Sequence, residues 1–419
     1  MIKKYTLDNG LRVILEDIPT VRSVAMGIWV KTGSRHENPH INGISHFIEH
    51  MFFKGTRTRT AREIAESFDS IGGNVNAFTS KEYTCYYAKV LDEHFNTGLE
   101  ILSDMFFNST IDEKELNRER NVVLEEIKMY EDTPDDQIHD LIAKVSFAEN
   151  PLGYAILGTE KVLNSITRDT IFDYLSEKYI IENTVITIAG NLPENIIEIV
   201  NKHFGSFNNH GQDNQLEIAS FKANETIKTK QTEQAHIALA LPGLAVSDPD
   251  IYSLILLNNI IGGSMSSRLF QEVREKRGLA YSIFSYHSSF QDTGLFTIYA
   301  GTAPNQVDQV VDIIQNTLVN IKKYGIEEKE ITKGKEQLKG SLMLSLESTN
   351  SRMNRLGKNE LLLGRHLSLD ETINRINQVN KNSIQGVINQ VMNHQFSFAM
   401  ISPIEELPKT LRRDILVSS

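Results

Sequence analysis

Residues 44–56 read ISHFIEHMFFKGT, and the apolar side chains of this stretch recur at the spacing of a helix. His46 and His50 stand four residues apart, so on a helix both imidazoles share one face and can converge on one metal ion. Glu49 lies beside them on that surface, within reach of a water molecule at the metal. The stretch therefore predicts a metal-binding helix with a free carboxylate next to the ion.

A second helix, predicted over 112–131, supplies a candidate for the third ligand that a catalytic zinc site needs. A spacing of 3,4,3,4 places on one stripe Leu116, Glu119, Val123, Glu126 and Tyr130. The stripe faces the core, where a carboxylate is costly unless a cation or donors compensate. Glu126 is the proposed ligand, because Glu125 is rotated by about 100° toward another face. Glu119 is interpreted as a carboxylate that orients an imidazole or the water; an ordinary solvated charge is the alternative.

The composition excludes several classes of protein. The length of 419 residues favours two domains. The net charge of −11, without a run of basic residues, argues against a nucleic-acid partner. Cys85 is the single cysteine, so neither an intramolecular disulfide nor a thiolate metal cluster is possible. The start lacks a secretory signal and no segment approaches the roughly 18–20 apolar residues of a spanning helix, so we expect a cytoplasmic protein without a membrane partner.

The order of the predicted elements repeats along the chain with an offset of about 210 residues. Three matched pairs carry the repeat: strands 23–30 and 235–241, helices 93–107 and 306–319, and strands 184–189 and 396–401. Residues 257–259, which correspond to the histidine helix, offer no ligand set. We expect an α+β fold of two structurally related domains, each a mostly antiparallel sheet packed with helices. The predicted boundaries are 1–207 for the N-terminal domain, 208–222 for a linker and 223–419 for the C-terminal domain.

Two of these segments resemble the motifs of a known family. The stretch from 46 to 56 is similar to the signature of the inverzincin zinc metallopeptidases of the pitrilysin and mitochondrial-processing-peptidase type. Residues 119–126, ERNVVLEE, resemble the distal ligand segment of that family at its usual separation from the signature. The similarity spans nearly the whole chain. Within the family, the chain resembles the short, two-domain bacterial type.

The resemblance implies a role for each matched residue. His46, His50 and Glu126 would hold one zinc ion per chain in the N-terminal domain. Glu49 would be the general base that activates a water on that zinc for attack on a peptide carbonyl, with Glu119 as a supporting carboxylate. The implied activity is that of a zinc-dependent endopeptidase acting on peptides or unfolded segments.

Two further segments resemble substrate-binding parts of the family. Residues 73–79, GNVNAFT, resemble an edge strand that receives an extended substrate, with Asn76 and Ala77 as the expected contacts. Arg274 and Tyr281 resemble a distal pair that donates hydrogen bonds to substrate carbonyls or to the tetrahedral intermediate. The alternative for residues 73–79 is an ordinary covered strand. The alternatives for Arg274 and Tyr281 are a surface arginine and a half-buried tyrosine without a role in substrate binding.

The resemblance also implies a dimer built around a chamber. In such a dimer Arg274 and Tyr281 would serve the zinc site of the partner chain, and the C-terminal domain would support the substrate. We expect a homodimer; a heterodimer with a different subunit is the alternative. The sequence does not determine the physiological substrate, the cleavage-site preference or whether the chamber prefers basic peptides. A non-catalytic scaffold or partner subunit of a processing-peptidase-like complex is the main alternative function, and a closed structural zinc site is the second.

Overall fold

The structure is a computed structural model that describes residues 2–212 and 216–418. In this part of the chain the strands are β1 Ile2–Thr6, β2 Arg12–Asp17, β3 Ser23–Val30, β4 Asn74–Thr79, β5 Thr84–Leu91, β6 Thr184–Gly190, β7 Glu225–Thr229, β8 Ala235–Gly243, β9 Ala280–Ser289, β10 Gly294–Thr302 and β11 Ser397–Ser402. The α-helices are α1 Ile44–Met51, α2 Ala61–Ser70, α3 Phe95–Asn108, α4 Glu113–Glu131, α5 Pro134–Phe147, α6 Glu160–Leu163, α7 Arg168–Lys178, α8 Ile196–Phe204, α9 Ile251–Ile261, α10 Val307–Tyr324, α11 Glu328–Ser345, α12 Thr349–Leu363, α13 Leu369–Gln378 and α14 Lys381–Val391.

The described chain divides into two compact units, and neither is one continuous segment. The first unit comprises the residues up to Lys128 together with Tyr154–Leu216 and Leu344–Leu367. The second unit comprises Met129–Gly153, Glu217–Met343 and the residues from Ser368 onward. No helix among the described residues has both the length and the apolar character needed to cross a bilayer.

These units differ from the predicted division at 1–207 and 223–419 in two segments, each of which carries one helix. Helix α5 packs on β8 and β11 of the second unit, and α12 packs on β2, β3 and β6 of the first. Each helix belongs to the unit whose sheet buries its apolar side chains. A division of the chain into two continuous segments cannot predict this arrangement. The roles assigned to the two domains, zinc binding and substrate support, stay predictions.

The first unit is built on a six-stranded sheet in the order β1-β2-β6-β3-β5-β4. β2 and β6 run parallel, and the other neighbours are antiparallel. Both faces of the central strand β3 are covered, since successive side chains of a strand point to opposite sides. Met26 and Ile28 enter one core together with residues of α1 and α3, whereas Trp29 packs on the other side with Met353 and Leu356 of α12.

The second unit repeats this topology. Its five strands lie in the order β7-β11-β8-β10-β9, with β7 and β11 parallel and the other neighbours antiparallel. Strand for strand, this matches β2-β6-β3-β5-β4 of the first unit. Helix α9 packs against β9 much as α1 packs against β4. The predicted α+β fold of two structurally related domains, each with a mostly antiparallel sheet and helices, is confirmed.

Candidate functional site

His46, His50 and Glu126 come together in the first unit. Nε2 of His46 lies 3.8 Å from Oε2 of Glu126, and Nε2 of His50 lies 3.5 Å from the same oxygen. One ligand atom from each of the three side chains lies within 4.8 Å of the other two. Tetrahedral coordination with bonds near 2.1 Å separates ligand atoms by about 3.4 Å. The donor types and their spacing therefore fit one zinc ion.

Helix α1 holds its two histidines in place by burying its opposite side. The residues of α1 that enter the core are Ile44, Phe47, Ile48 and Met51. This apolar stripe has the spacing of one helical face, so the remaining face carries His46, Glu49 and His50. The four-residue separation then brings the two imidazoles together, with ring centroids 4.6 Å apart.

The start of α1 is held by the buried carboxylate of Glu37. This carboxylate accepts hydrogen bonds from the backbone N–H of Gly43 at 2.7 Å, the N–H of Ser45 at 2.9 Å and the side-chain amide of Asn42 at 2.9 Å. Burial raises the pKa of Glu37, whereas these donors act in the opposite direction by stabilising the charged form. Because N–H groups at a helix start lack intrahelical partners, the contacts fix where the metal-binding helix begins.

His46 is prepared to act as a ligand because it stays neutral. Burial lowers the pKa of His46 to about 3, and the neighbouring His50 acts in the same direction. At neutral pH the ring therefore keeps a lone pair for a metal and has no proton to lose on binding.

Helix α4 presents Glu126 to the histidines and turns Glu125 away. Leu116, Glu119 and Val123 are buried, as the predicted stripe requires. The side chain of Glu125 is 72% exposed and forms an ion pair with Lys128 at 2.8 Å. The structure thus brings Glu126 to the imidazole pair.

Glu119 lies behind His50 and joins it to a lysine that the sequence analysis did not single out. Oε1 of Glu119 lies 2.8 Å from Nδ1 of His50, and Nζ of Lys54 lies 2.7 Å from Oε2. Burial acts to raise the pKa of Glu119, but hydrogen bonds from His50 and Lys54 outweigh it and hold that pKa below its ordinary value. A solvated helix charge does not describe Glu119, which is only 4% exposed.

The carboxylate of Glu49 interacts electrostatically with His50 and Glu126, and a hydroxyl group holds it. The hydroxyl of Thr79 donates a 2.6 Å hydrogen bond to Oε2 of Glu49. Burial raises the pKa of Glu49, an effect that Thr79 partly offsets. A carboxylate with a raised pKa near a reacting group suits proton transfer. In the sequence, a period of two places Thr79 on the same face of its strand as Val75 and Ala77, but it does not indicate that this face meets Glu49.

Asn76 and Ala77 lie in the middle of β4, which is the last strand of its sheet. β4 pairs with β5 on one side and with no other strand among residues 2–212 and 216–418. Asn76 is exposed, Ala77 is partly buried, and the strand packs against α1. An open strand edge therefore lies next to the helix that carries Glu49 and the histidines.

Arg274 and Tyr281 contact each other in the second unit. The guanidinium carbon of Arg274 lies 4.5 Å from the ring centre of Tyr281 and 4.8 Å from that of Phe270. Arg274 belongs to a π-helical turn, Phe270–Glu275, and Tyr281 is the extra residue where the register between β9 and β10 shifts. Tyr281 is 78% exposed, so the expected half-buried alternative does not describe it. The pair offers donors at the surface of its unit.

Comparison with known families matches most of the chain. Residues 12–160 match the model described as insulinase, peptidase family M16. Residues 165–338 match the model described as the peptidase M16 inactive domain.

Similar sequences and structures agree with these matches. A Bacillus subtilis protein described as the uncharacterized zinc protease YmxG is 58% identical over 97% of this chain and 100% of its own length. An uncharacterized zinc protease of Streptomyces coelicolor is 41% identical over 97% of this chain and 90% of its own length.

Two solved structures share the fold. A protease from Helicobacter pylori superposes with a TM-score of 0.89 at 24% identity, over 96% of this chain and 99% of that one. A peptidase M16 inactive domain from Pseudomonas fluorescens superposes with a TM-score of 0.90 at 20% identity, over 97% of this chain and 99% of that one. The family models and the identity to named zinc proteases show that the chain belongs to peptidase family M16, in its two-domain bacterial form.

Proposed function

We propose that the protein is a zinc-dependent endopeptidase whose single zinc ion is held by His46, His50 and Glu126. The observation that carries this proposal is the meeting of three zinc-type donors beside Glu49, a carboxylate that is not one of them. A structural zinc site is closed by four protein ligands, whereas a catalytic site uses three and keeps one position open. Three candidate zinc ligands with a nearby carboxylate that is not a ligand favour a catalytic zinc site.

The proposed mechanism assigns proton transfer to Glu49. A bound zinc ion would supply Lewis acidity toward the attacking water and the scissile carbonyl. Glu49 accepts the proton of the water at its carboxylate and returns it to the leaving amine. Thr79 holds the carboxylate of Glu49 through its hydrogen bond, and Glu119 holds the imidazole of His50 in its orientation.

The proposed substrate is an extended peptide or an unfolded segment. The open side of β4 offers backbone donors and acceptors to such a chain around Asn76 and Ala77. Main-chain pairing of this kind gives affinity with little sequence preference. We propose that Arg274 and Tyr281 add hydrogen bonds to substrate carbonyls, and that the acting form is a cytoplasmic homodimer in which this pair serves the partner's zinc site.

The test is hydrolysis of an unstructured peptide by the purified full chain, with products identified by mass spectrometry. We expect internal cleavage that stops with a chelator and returns with zinc. Glu49→Gln should abolish cleavage while retaining about one zinc per chain, and Glu125→Gln should cleave like the wild type. Persistent cleavage by the zinc-loaded Glu49→Gln variant would remove the proposed base. A folded wild type that neither binds zinc nor cleaves would support a non-catalytic partner subunit instead.

A further inference from the structure

Two short contacts lead from the ligand His50 through Glu119 to Lys54. Each oxygen of the Glu119 carboxylate contacts one of these side chains, Oε1 with Nδ1 of His50 and Oε2 with Nζ of Lys54. We propose that Lys54 is a positioning residue of the metal site, which acts through Glu119 to hold His50 with its Nε2 toward Glu126. This inference deepens the proposed function and relies on it for the identity of the ligands.

The carboxylate of Glu119 needs both partners. It is almost completely buried, and a buried charge is strongly unfavourable unless it is paired and hydrogen-bonded. His50 satisfies one oxygen and Lys54 the other, so loss of the ammonium group leaves one oxygen without its cation. The carboxylate can then rotate away from His50, and the direction of the imidazole is no longer specified.

The two histidines differ in what holds them. Nδ1 of His46 is buried and has no protein hydrogen-bond partner in the described part of the chain, so this ring lacks a carboxylate of the kind that contacts His50. The side chain of His50 is 22% exposed, against 10% for His46, and it is less confined by neighbours. His50 is therefore the ligand whose orientation depends on a hydrogen-bonded carboxylate.

Lys54 is attached to the helix that it serves. Its backbone N–H donates to the carbonyl of Met51, the last residue of α1, at 3.1 Å. Gly55 follows with φ of 119°, a backbone conformation that favours glycine and turns the chain sharply after Lys54. The ammonium group is thus carried on a turn that is hydrogen-bonded to the end of α1, three residues after Met51.

The test measures zinc affinity of the purified full chain by competition with a chromogenic chelator. Partners that orient a ligand typically contribute 10–100-fold to metal affinity, so we expect Lys54→Met to weaken zinc binding by roughly that factor. Lys54→Arg keeps the charge and should recover most of the affinity. Lys128→Met removes a lysine from an exposed pair on α4 and should bind zinc like the wild type.

A double-mutant cycle tests whether Lys54 acts through Glu119. In a Glu119→Gln background, Lys54→Met should cause little further loss of affinity, because the intermediate carboxylate is already gone. Wild-type affinity in Lys54→Met, or losses that simply add in the double variant, would overturn the inference. Thermal unfolding of the zinc-free variants identifies any that fail to fold. Since no peptide is used, a protein that binds zinc but cleaves nothing would refute the endopeptidase and leave this inference standing.

Discussion

The hydroxyl of Thr79 donates a 2.6 Å hydrogen bond to Oε2 of Glu49. Thr79 is the last residue of β4, the strand whose open edge we propose as the substrate site, and Glu49 belongs to α1. One contact therefore joins the strand that would receive the peptide to the carboxylate that would move the proton.

Removal of this hydroxyl should slow catalysis without weakening substrate binding. A hydrogen bond to a charged group contributes about 1.5–3 kcal/mol, so Thr79→Val should lower kcat by roughly 10–100-fold if the bond is fully used in the transition state. KM and zinc content should change little. Thr79→Ser keeps the hydroxyl and should stay near the wild-type rate. Steady-state kinetics checks this, and equal rates for the Val and Ser variants would contradict it.

The two adjacent carboxylates of α4 should differ sharply in their effect on metal binding. A ligand that binds only the folded state raises its stability, so zinc should raise the melting temperature of the wild type. Glu126→Gln should remove most of that rise and lower zinc affinity by more than about 100-fold, whereas Glu125→Gln should leave both unchanged. Differential scanning fluorimetry with and without zinc measures this. Matching behaviour of the two variants would refute Glu126 as a ligand.

A buried carboxylate with three charged or titratable partners in the first unit should make the free energy of unfolding depend on pH. Glu360 lies within 2.7 Å of Lys4, 3.2 Å of Arg12 and 2.9 Å of His366. Burial acts to raise the pKa of Glu360, but these partners outweigh it and lower the pKa from 4.5 to about 2. A carboxylate with a depressed folded-state pKa contributes stability above its unfolded pKa and loses it as the pH falls through the folded value.

We therefore expect Glu360→Gln to reduce the free energy of unfolding most at pH 6, by an amount on the order of 2 kcal/mol. The difference from the wild type should shrink as the pH falls from about 4.5 toward 2. Urea unfolding at several pH values measures it. The exposed Glu125→Gln serves as the control, and a difference that is independent of pH would contradict the assignment.

Two helical glycines should respond in opposite directions to alanine. A Cβ atom at Gly357 of α12 would lie 2.1 Å from Cε2 of Trp29, which is fully buried and hydrogen-bonded to Thr187. Gly357→Ala should therefore lower the free energy of unfolding by about 1–3 kcal/mol. A Cβ at Gly340 of α11 meets nothing within 4 Å, so Gly340→Ala should raise stability by about 0.5–1 kcal/mol. Chemical unfolding decides, and a neutral Gly357→Ala would contradict the close packing of α12 on β3.

The local part of the metal site could be predicted because it depends on helical geometry alone. The four-residue spacing of His46 and His50 brings them onto one face of any helix, and the buried stripe of α4 separates Glu126 from Glu125. The roles of these residues stay predictions that the zinc experiments test. The repeated order of elements likewise indicated two related units, since the strands and helices follow their own local periodicity.

The supporting contacts could not be predicted, because they join residues far apart in the chain. Glu37 reaches the start of α1, Thr79 reaches Glu49, and Lys54 reaches Glu119 on another helix. Nothing in the spacing of these residues indicates which surfaces meet. The same reason explains why the two helices α5 and α12 were not assigned to the units in which they pack.

The types of metal-ligand side chain, their helical spacing and the duplicated order of the elements can be recognised in the amino-acid sequence, because each depends on residues that are close together in the chain. Which carboxylates and hydroxyls hold these ligand side chains in place depends on how the chain folds. Folding brings together polar groups that are far apart in the chain. Burial then strengthens the hydrogen bonds between them, because the local dielectric constant is lower than in water.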